Sequence, residues 1–209
     1  MHNRKVILMT ARVITFMNEK GGVGKTTIST TVAAGLARDG HRVLLLDADP
    51  QGNATRSFGM KKEPLFHDLL VRGTAWDRST YVVDGERIVP GDDMPEYGGM
   101  LMLVPSDTET ASITQHTADI FALLKRLAEV DEMFDFIIID TAPTPSQLHT
   151  NIMISTDAVV YPTQLEQLSI EGLIASESVR EQANELRQSK GLPPVELLGV
   201  QPNMTKHNT

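Results

Sequence analysis

Hydrophobic residues recur in six short runs: Val13–Met17, Val43–Leu46, Met100–Val104, Phe136–Ile139, Ala158–Tyr161 and Leu197–Val200. They are too short for helices and rich in Ile, Val and Leu, the pattern of parallel strands buried on both faces. Between several of them the apolar spacing becomes helical, with Ile28, Val32 and Leu36, then Ile120, Leu123, Leu124 and Leu127, then Leu173, Ile174, Val179, Ala183 and Leu186. Gly40 closes the first of these patterns, and Gly191 with Pro193 and Pro194 closes the third. Strand and helix alternate, so the expected fold class is α/β, a mostly parallel doubly wound sheet flanked by helices. Residues 60–99 break the rhythm with Gly73, Gly85, Pro90, Gly91, Pro95, Gly98, Gly99 and the single Trp76, and read as an insertion of short elements.

The 209 residues suit one domain, two at most. A loose N-terminal tail is expected over 1–11, with Met9 a second plausible start beside Met1, and a single domain over 12–209. Hydrophobic residues make up 41% and charged residues 22%, which excludes disordered and collagen-like classes. The net charge of -8 opposes nucleic acid and anionic lipid in bulk, so any DNA contact needs a local patch. The absence of cysteine excludes disulfides, thiolate metal sites and thiol nucleophiles. The six histidines lack metal-ligand spacing and read as surface or capping residues. No apolar run spans a bilayer and residues 1–11 lack a secretory pattern, so a cytoplasmic location without membrane contact is expected.

The chemistry concentrates after the first strand, in Asn18-Glu19-Lys20-Gly21-Gly22-Val23-Gly24-Lys25-Thr26-Thr27. Three glycines let successive N–H groups turn toward an anion, and the following helix adds its positive end. In such a loop Gly21, Gly22, Val23 and Gly24 cradle a nucleotide. Lys25 rides on the β- and γ-phosphates, Thr26 ligates Mg²⁺ and Thr27 reaches the α-phosphate. Phe136–Ile139 ends in Asp140, the pattern of a carboxylate that holds Mg²⁺ through water. Asp47 and Asp49 follow the second strand, where carboxylates either act at a doubly wound sheet's carboxyl edge or cap a helix.

Glu19 stands where the standard P-loop has glycine, and Lys20 precedes the glycine pair, giving Lys-Gly-Gly-x-Gly-Lys-Thr-Thr. With Asp47-Ala48-Asp49-Pro50-Gln51-Gly52-Asn53 and the Asp140 strand, the chain resembles the ParA and MinD superfamily of deviant Walker ATPases. The resemblance runs from Arg12 to Met204 and is weakest over 60–99. It implies hydrolysis of ATP with Mg²⁺, with Asp49 orienting the attacking water and Asp47 supporting the metal and lysine network. It also implies a role for Asn203 near the adenine, and a homodimer in the ATP state in which Lys20 reaches the partner's nucleotide. Zero cysteines separates the chain from the iron–sulfur branches, and Pro50-Gln51-Gly52-Asn53-Ala54-Thr55 is similar to the ParA branch. The short type is implied, since no helix-turn-helix precedes the first strand.

That branch implies plasmid or chromosome partitioning, a ParB-like activator, nonspecific DNA as a further partner, and association with the nucleoid where DNA is bound. The alternative is a nucleotide-dependent switch that positions a protein cargo without DNA. Arg180, Arg187 and Lys190 share one helical face, either as a stripe for DNA phosphates or as a salt-bridged surface with Glu177, Glu181 and Glu185. Members of the family normally continue past Pro202-Asn203-Met204, so a truncated or divergent C-terminus is expected.

Overall fold

A computed structural model describes residues 10–88, 99–164 and 167–204, with the side chains of 167–170 excepted. Seven strands, β1 (Arg12–Phe16), β2 (Arg42–Ala48), β3 (Tyr81–Val82), β4 (Met100–Val104), β5 (Phe136–Thr141), β6 (Ala158–Thr163) and β7 (Glu196–Pro202), form one sheet. Their order is β3-β4-β2-β5-β1-β6-β7, and every pairing except β3 with β4 is parallel. All six apolar runs are therefore strands. β2 and β5 outlast their apolar runs because the ladder continues through polar residues, pairing Asp47 with Asp140 and Ala48 with Thr141.

The main helices are α1 (Lys25–Arg38), α2 (Asn53–Ser57), α3 (Ala122–Leu127), α4 (Gln147–Ile154) and α5 (Gln167–Ser189). Alternate strand residues feed two core layers. Leu44, Leu46, Ile137 and Ile139 pack with Phe66, Leu123, Leu127 and Ile152 on one face. Val43, Leu45 and Ile138 pack with Ala33 and Ala37 of α1 on the other. Such alternation is what a period of two along a sheet covered on both faces requires.

Over its described residues, 60–88 and 99, the insertion does consist of short elements. It is pinned where Trp76 Nε1 donates to the Arg126 carbonyl at 3.2 Å, with the Arg126 guanidinium over the indole ring. Its strand β3 is antiparallel, and two exposed residues left no apolar run to find. α2 and α4 were not anticipated either, being short and set behind turn-rich segments. Ile174, counted in the third apolar pattern, is 64% exposed.

Two expectations at the edges need correction. Residues 1–9 of the expected tail lie outside the described residues, but Thr10 and Ala11 are anchored: both backbone N–H groups donate to the Asp131 carboxylate. The phosphate-stripe reading of α5 fails, because Arg187 is only 2% exposed and donates to the carbonyls of Ile154 and Pro193. Arg180 is paired with Glu177 and bonded to the Val195 carbonyl, and Lys190 lies over the Phe121 ring. The arginine spacing served packing, since long cationic side chains can bury their stems when carbonyls receive the head.

Candidate functional site

The strand order puts the carboxyl ends of β1, β5 and β2 side by side, with Phe16 opposite Asp140 and Asp140 opposite Asp47. The glycine-rich segment leaves β1 at this edge. Gly22 and Gly24 have φ of 75° and 92°, a left-handed backbone that other residues rarely adopt. Gly24 is the N-cap of α1; it offers no side-chain cap and the first turn holds no acidic residue. The orphan N–H groups of that helix start are thus left for an anion.

Two amides from the far strands fix the loop. Gln164 Nε2 donates to the Gly22 carbonyl and Asn203 Nδ2 to the Val23 carbonyl, each at 3.1 Å. In a trans peptide the N–H opposes the C=O, so these contacts set the directions of the Val23 and Gly24 N–H groups. Asn203, expected near a base, has its amide engaged by the loop itself, while Met204 lines the cleft. The cleft, of about 640 Å³, is bounded by Gly21, Gly22, Gly24, Lys25, Thr26 and Thr27 on one side and by Asp49, Gln51 and Pro143 on the other.

Lys25 is buried and its Nζ donates to the Lys20 carbonyl at 3.0 Å. Burial pushes its pKa down, against the pull of Asp140 and Asp49. Lys20 is half-buried, its own N–H held by Asn18 Oδ1 at 2.9 Å. α5 packs closely here: Ser176 Oγ accepts from the Glu19 N–H, and a Cβ on Gly172 would lie 2.9 Å from Lys20 N.

Thr26 Oγ1 donates to Asp140 Oδ2 at 2.7 Å. The other oxygen, Asp140 Oδ1, is buried with no hydrogen-bond partner among the described residues. Burial first, then Asp47 and Asp49 nearby, raises the Asp140 carboxyl to about 7. A hydroxyl and an orphaned carboxylate oxygen at an anion-binding loop fit a hard divalent cation that keeps part of its water shell. Asp47 differs: its oxygens already accept from the Asp49 N–H, the Thr55 N–H and the Thr55 hydroxyl. It is spent on building the turn that presents Asp49. Asp49 is 5% exposed, accepts from the Gln51 N–H through Oδ1, and has its carbonyl held by Ser106 Oγ.

Sequence reasoning therefore brought Lys20, Lys25, Thr26, Thr27, Asp47, Asp49 and Asp140 to one edge, missed Thr55, Ser106 and Gln164, and read His149 only as a surface or capping residue, which its capping box bears out. Only His149 had a local signal, the Ser146-x-x-His149 spacing of a capping box. One other cluster of metal-type ligands is found among the described residues, His67, Asp68 and Glu109. Arg72 occupies it through ion pairs to Asp68 and Glu109, so it does not fit a cation.

Comparison with known proteins identifies the family. Residues 11–189 match a family described as an AAA domain. The chromosome-partitioning ATPase Soj of Thermus thermophilus is 36% identical over 193 residues, covering 90% of this chain and 68% of that protein. The sporulation initiation inhibitor protein Soj of Bacillus subtilis is 34% identical, covering 78% and 62%. Among solved structures, cobyrinic acid a,c-diamide synthase of Mycobacterium smegmatis, with bound ATP analogue and magnesium, superposes with a TM-score of 0.78 at 28% identity, covering 95% and 75%. The chain spans 60% to 68% of the length of the first curated relatives it matches. With the deviant glycine loop, the three strand-end aspartates and relatives of this kind, the chain belongs to the ParA family of partition ATPases within the ParA/MinD superfamily.

Proposed function

We propose that this chain binds ATP with Mg²⁺ in the cleft, hydrolyses it to ADP and phosphate, and forms a face-to-face dimer in the ATP state that serves plasmid or chromosome partitioning. The observation that carries this reading is the orphaned Asp140 Oδ1 beside the Thr26–Asp140 hydrogen bond, at the foot of a loop whose helix start is uncapped. Thr26 and Asp140 would hold the metal, which would supply charge neutralisation to the triphosphate. Lys25 exchanges the Lys20 carbonyl for phosphate oxygens, and the N–H groups from Gly21 to Thr27 receive the rest of the triphosphate. Asp49 orients the attacking water and Asp47 keeps Asp49 in place. Lys20 reaches the nucleotide of the other subunit, neutralising charge in trans as an arginine finger does.

Phosphate release and light scattering, with and without ATP, test the scheme. Lys25→Ala abolishes ATP binding, Lys20→Ala retains binding but loses the ATP-dependent dimer, and Asp49→Ala accumulates a dimer that does not turn over. Normal dimerisation of Lys20→Ala would remove the trans role.

The partner in this scheme is a ParB-like activator protein, and the location is cytoplasmic. Among the described residues no helix is long and apolar enough to cross a membrane. Nonspecific DNA is the further partner that the family suggests. The burial of Arg187 and the pairing of Arg180 favour a second reading, a positioning switch for a protein cargo without a DNA step. An ATP-dependent, salt-sensitive shift of duplex DNA supports partitioning; intact dimerisation with no shift at low salt supports the switch.

A further inference from the structure

The segment after Asp140 is closed by a histidine that the scheme above does not use. Residues 142–145 connect the end of β5 to α4, and His149 reaches back over them from the first turn of that helix. Its Nδ1 accepts from the Ser146 N–H at 3.2 Å, while the Ser146 side chain accepts from the His149 backbone, a reciprocal capping box. The other ring nitrogen, Nε2, lies 2.9 Å from the Ala142 carbonyl. An amide only donates and a carbonyl only accepts, so one state of the ring satisfies both contacts: neutral, bare at Nδ1, with the proton on Nε2.

The ring is 2% exposed. Burial lowers its pKa, the Ala142 hydrogen bond opposes this, the Lys25 charge adds to the lowering, and Asp49 opposes it. The bond to Ala142 is the only side-chain hydrogen bond to residues 142–145 among the described residues. What the clasp holds is functional ground. Pro143 borders the cleft, and its ring atoms come within 3.9 Å of the place a Cβ on Gly21 would take. A second cavity of about 490 Å³ lies behind the loop, lined in part by Asp49, Pro143, Thr144 and His149, so packing does not fill the space the loop could move into.

We propose that His149 is a positioning residue for nucleotide turnover: as the neutral Nε2–H tautomer it clasps Ala142 to Ser146, and so seats Pro143 against the glycine loop and holds Asp140 at its strand end. This inference rests on the ATPase reading for its effect on rate, but the clasp itself does not. Two substitutions separate it from helix capping. His149→Asn keeps an acceptor at the δ position for the Ser146 N–H but has no group that reaches Ala142. His149→Gln places an N–H donor one bond further out, where it can still meet that carbonyl.

Three measurements decide. Ring ¹⁵N shifts of the nucleotide-free protein at pH 7 show the neutral Nε2–H tautomer; an Nδ1–H ring overturns the proposal. Amide exchange over residues 142–146 is faster in His149→Asn than in His149→Gln, at similar melting temperatures; equal exchange overturns it. The kcat for phosphate release falls about tenfold in His149→Asn, the worth of one buried hydrogen bond at about 1.4 kcal/mol, with a smaller change in KM, and the Gln variant recovers most of the loss. Equal rates in the two variants overturn the positioning role. If the unsubstituted protein releases no phosphate, the ATPase reading fails, and the tautomer and exchange results still decide the clasp.

Discussion

The orphaned carboxylate makes an unusual demand: removing its charge should stabilise the protein without ligand and harm it with ligand. Asp140 is fully buried, and its carboxyl is raised from an ordinary 3.8 to about 7, mainly by burial. The folded chain then binds that proton more tightly than the unfolded chain. Stability from this group is fully present below about pH 4, is lost as pH climbs toward 7, and stays lost above it. At 1.36 kcal/mol per pKa unit the rise caps the penalty at about 4 kcal/mol. Asp140→Asn removes the charge and keeps an acceptor for Thr26, but sets an amide N–H where Oδ1 has no partner, which returns about 1–2 kcal/mol. The expected net gain is about 1–3 kcal/mol at pH 8 with chelator and no nucleotide, shrinking toward zero by about pH 4.5. Adding Mg²⁺ and ATP inverts the order, because the unsubstituted protein gains about 4.1 kcal/mol at a thousandfold excess over Kd and the variant gains little. Urea denaturation across pH, with and without ligand, reads all of this. A variant no more stable at pH 8, a gap that ignores pH, or a variant that gains as much from Mg²⁺ and ATP would refute the argument.

Other consequences follow from packing. Gly172→Ala would bring a Cβ to 2.5 Å from Asn18 Oδ1 and 2.9 Å from Lys20 N, while Asn18 is itself held by the Pro162 carbonyl. With neither neighbour free to move, the change costs about 1–3 kcal/mol in a melting experiment and displaces Lys20, so the ATP-dependent dimer weakens while monomer binding of ATP persists. Arg187→Met leaves the carbonyls of Ile154 and Pro193 without donors and lowers stability by about 2–4 kcal/mol by urea titration, whereas Lys190→Met, on an exposed residue, changes it by less than about 0.5 kcal/mol.

What the sequence disclosed divides by the range of the physics. Apolar runs located five strands because burial is a local demand on composition, whereas the sixth, β7, is an edge strand whose Leu197, Leu198 and Val200 are exposed. The glycine loop was legible because its backbone must adopt positive φ at Gly22 and Gly24 and must leave a helix start uncapped. Asp47, Asp49 and Asp140 were found because a parallel sheet brings strand ends together, and a carboxylate after an apolar run marks such an end. The supporting contacts were not legible. Thr55 and Ser106 serve Asp47 and Asp49 from other elements, and Gln164 and Asn203 meet the loop from β6 and β7, 142 and 180 residues away in the chain. Such pairings depend on strand order, which no short window encodes. Arg187 misled for the same reason: its spacing with Arg180 and Lys190 is helical, but the two carbonyls that bury it come from the end of α4 and from Pro193.

The division also bears on how the site works. The groups that would touch nucleotide are set by local motifs, whereas the groups that aim them come from across the sheet. Lys25 rests on the Lys20 carbonyl, Lys20 rests on Asn18, and Asn18 is gripped by the Pro162 carbonyl beneath α5. A ligand that draws Lys25 away frees the Lys20 carbonyl and alters the one segment that is both phosphate loop and, in the proposed scheme, dimer contact. In the proposed scheme the hydrogen bond from Lys25 to Lys20 would therefore link nucleotide occupancy to the lysine acting in trans, beside the close approach of Gly172 in α5.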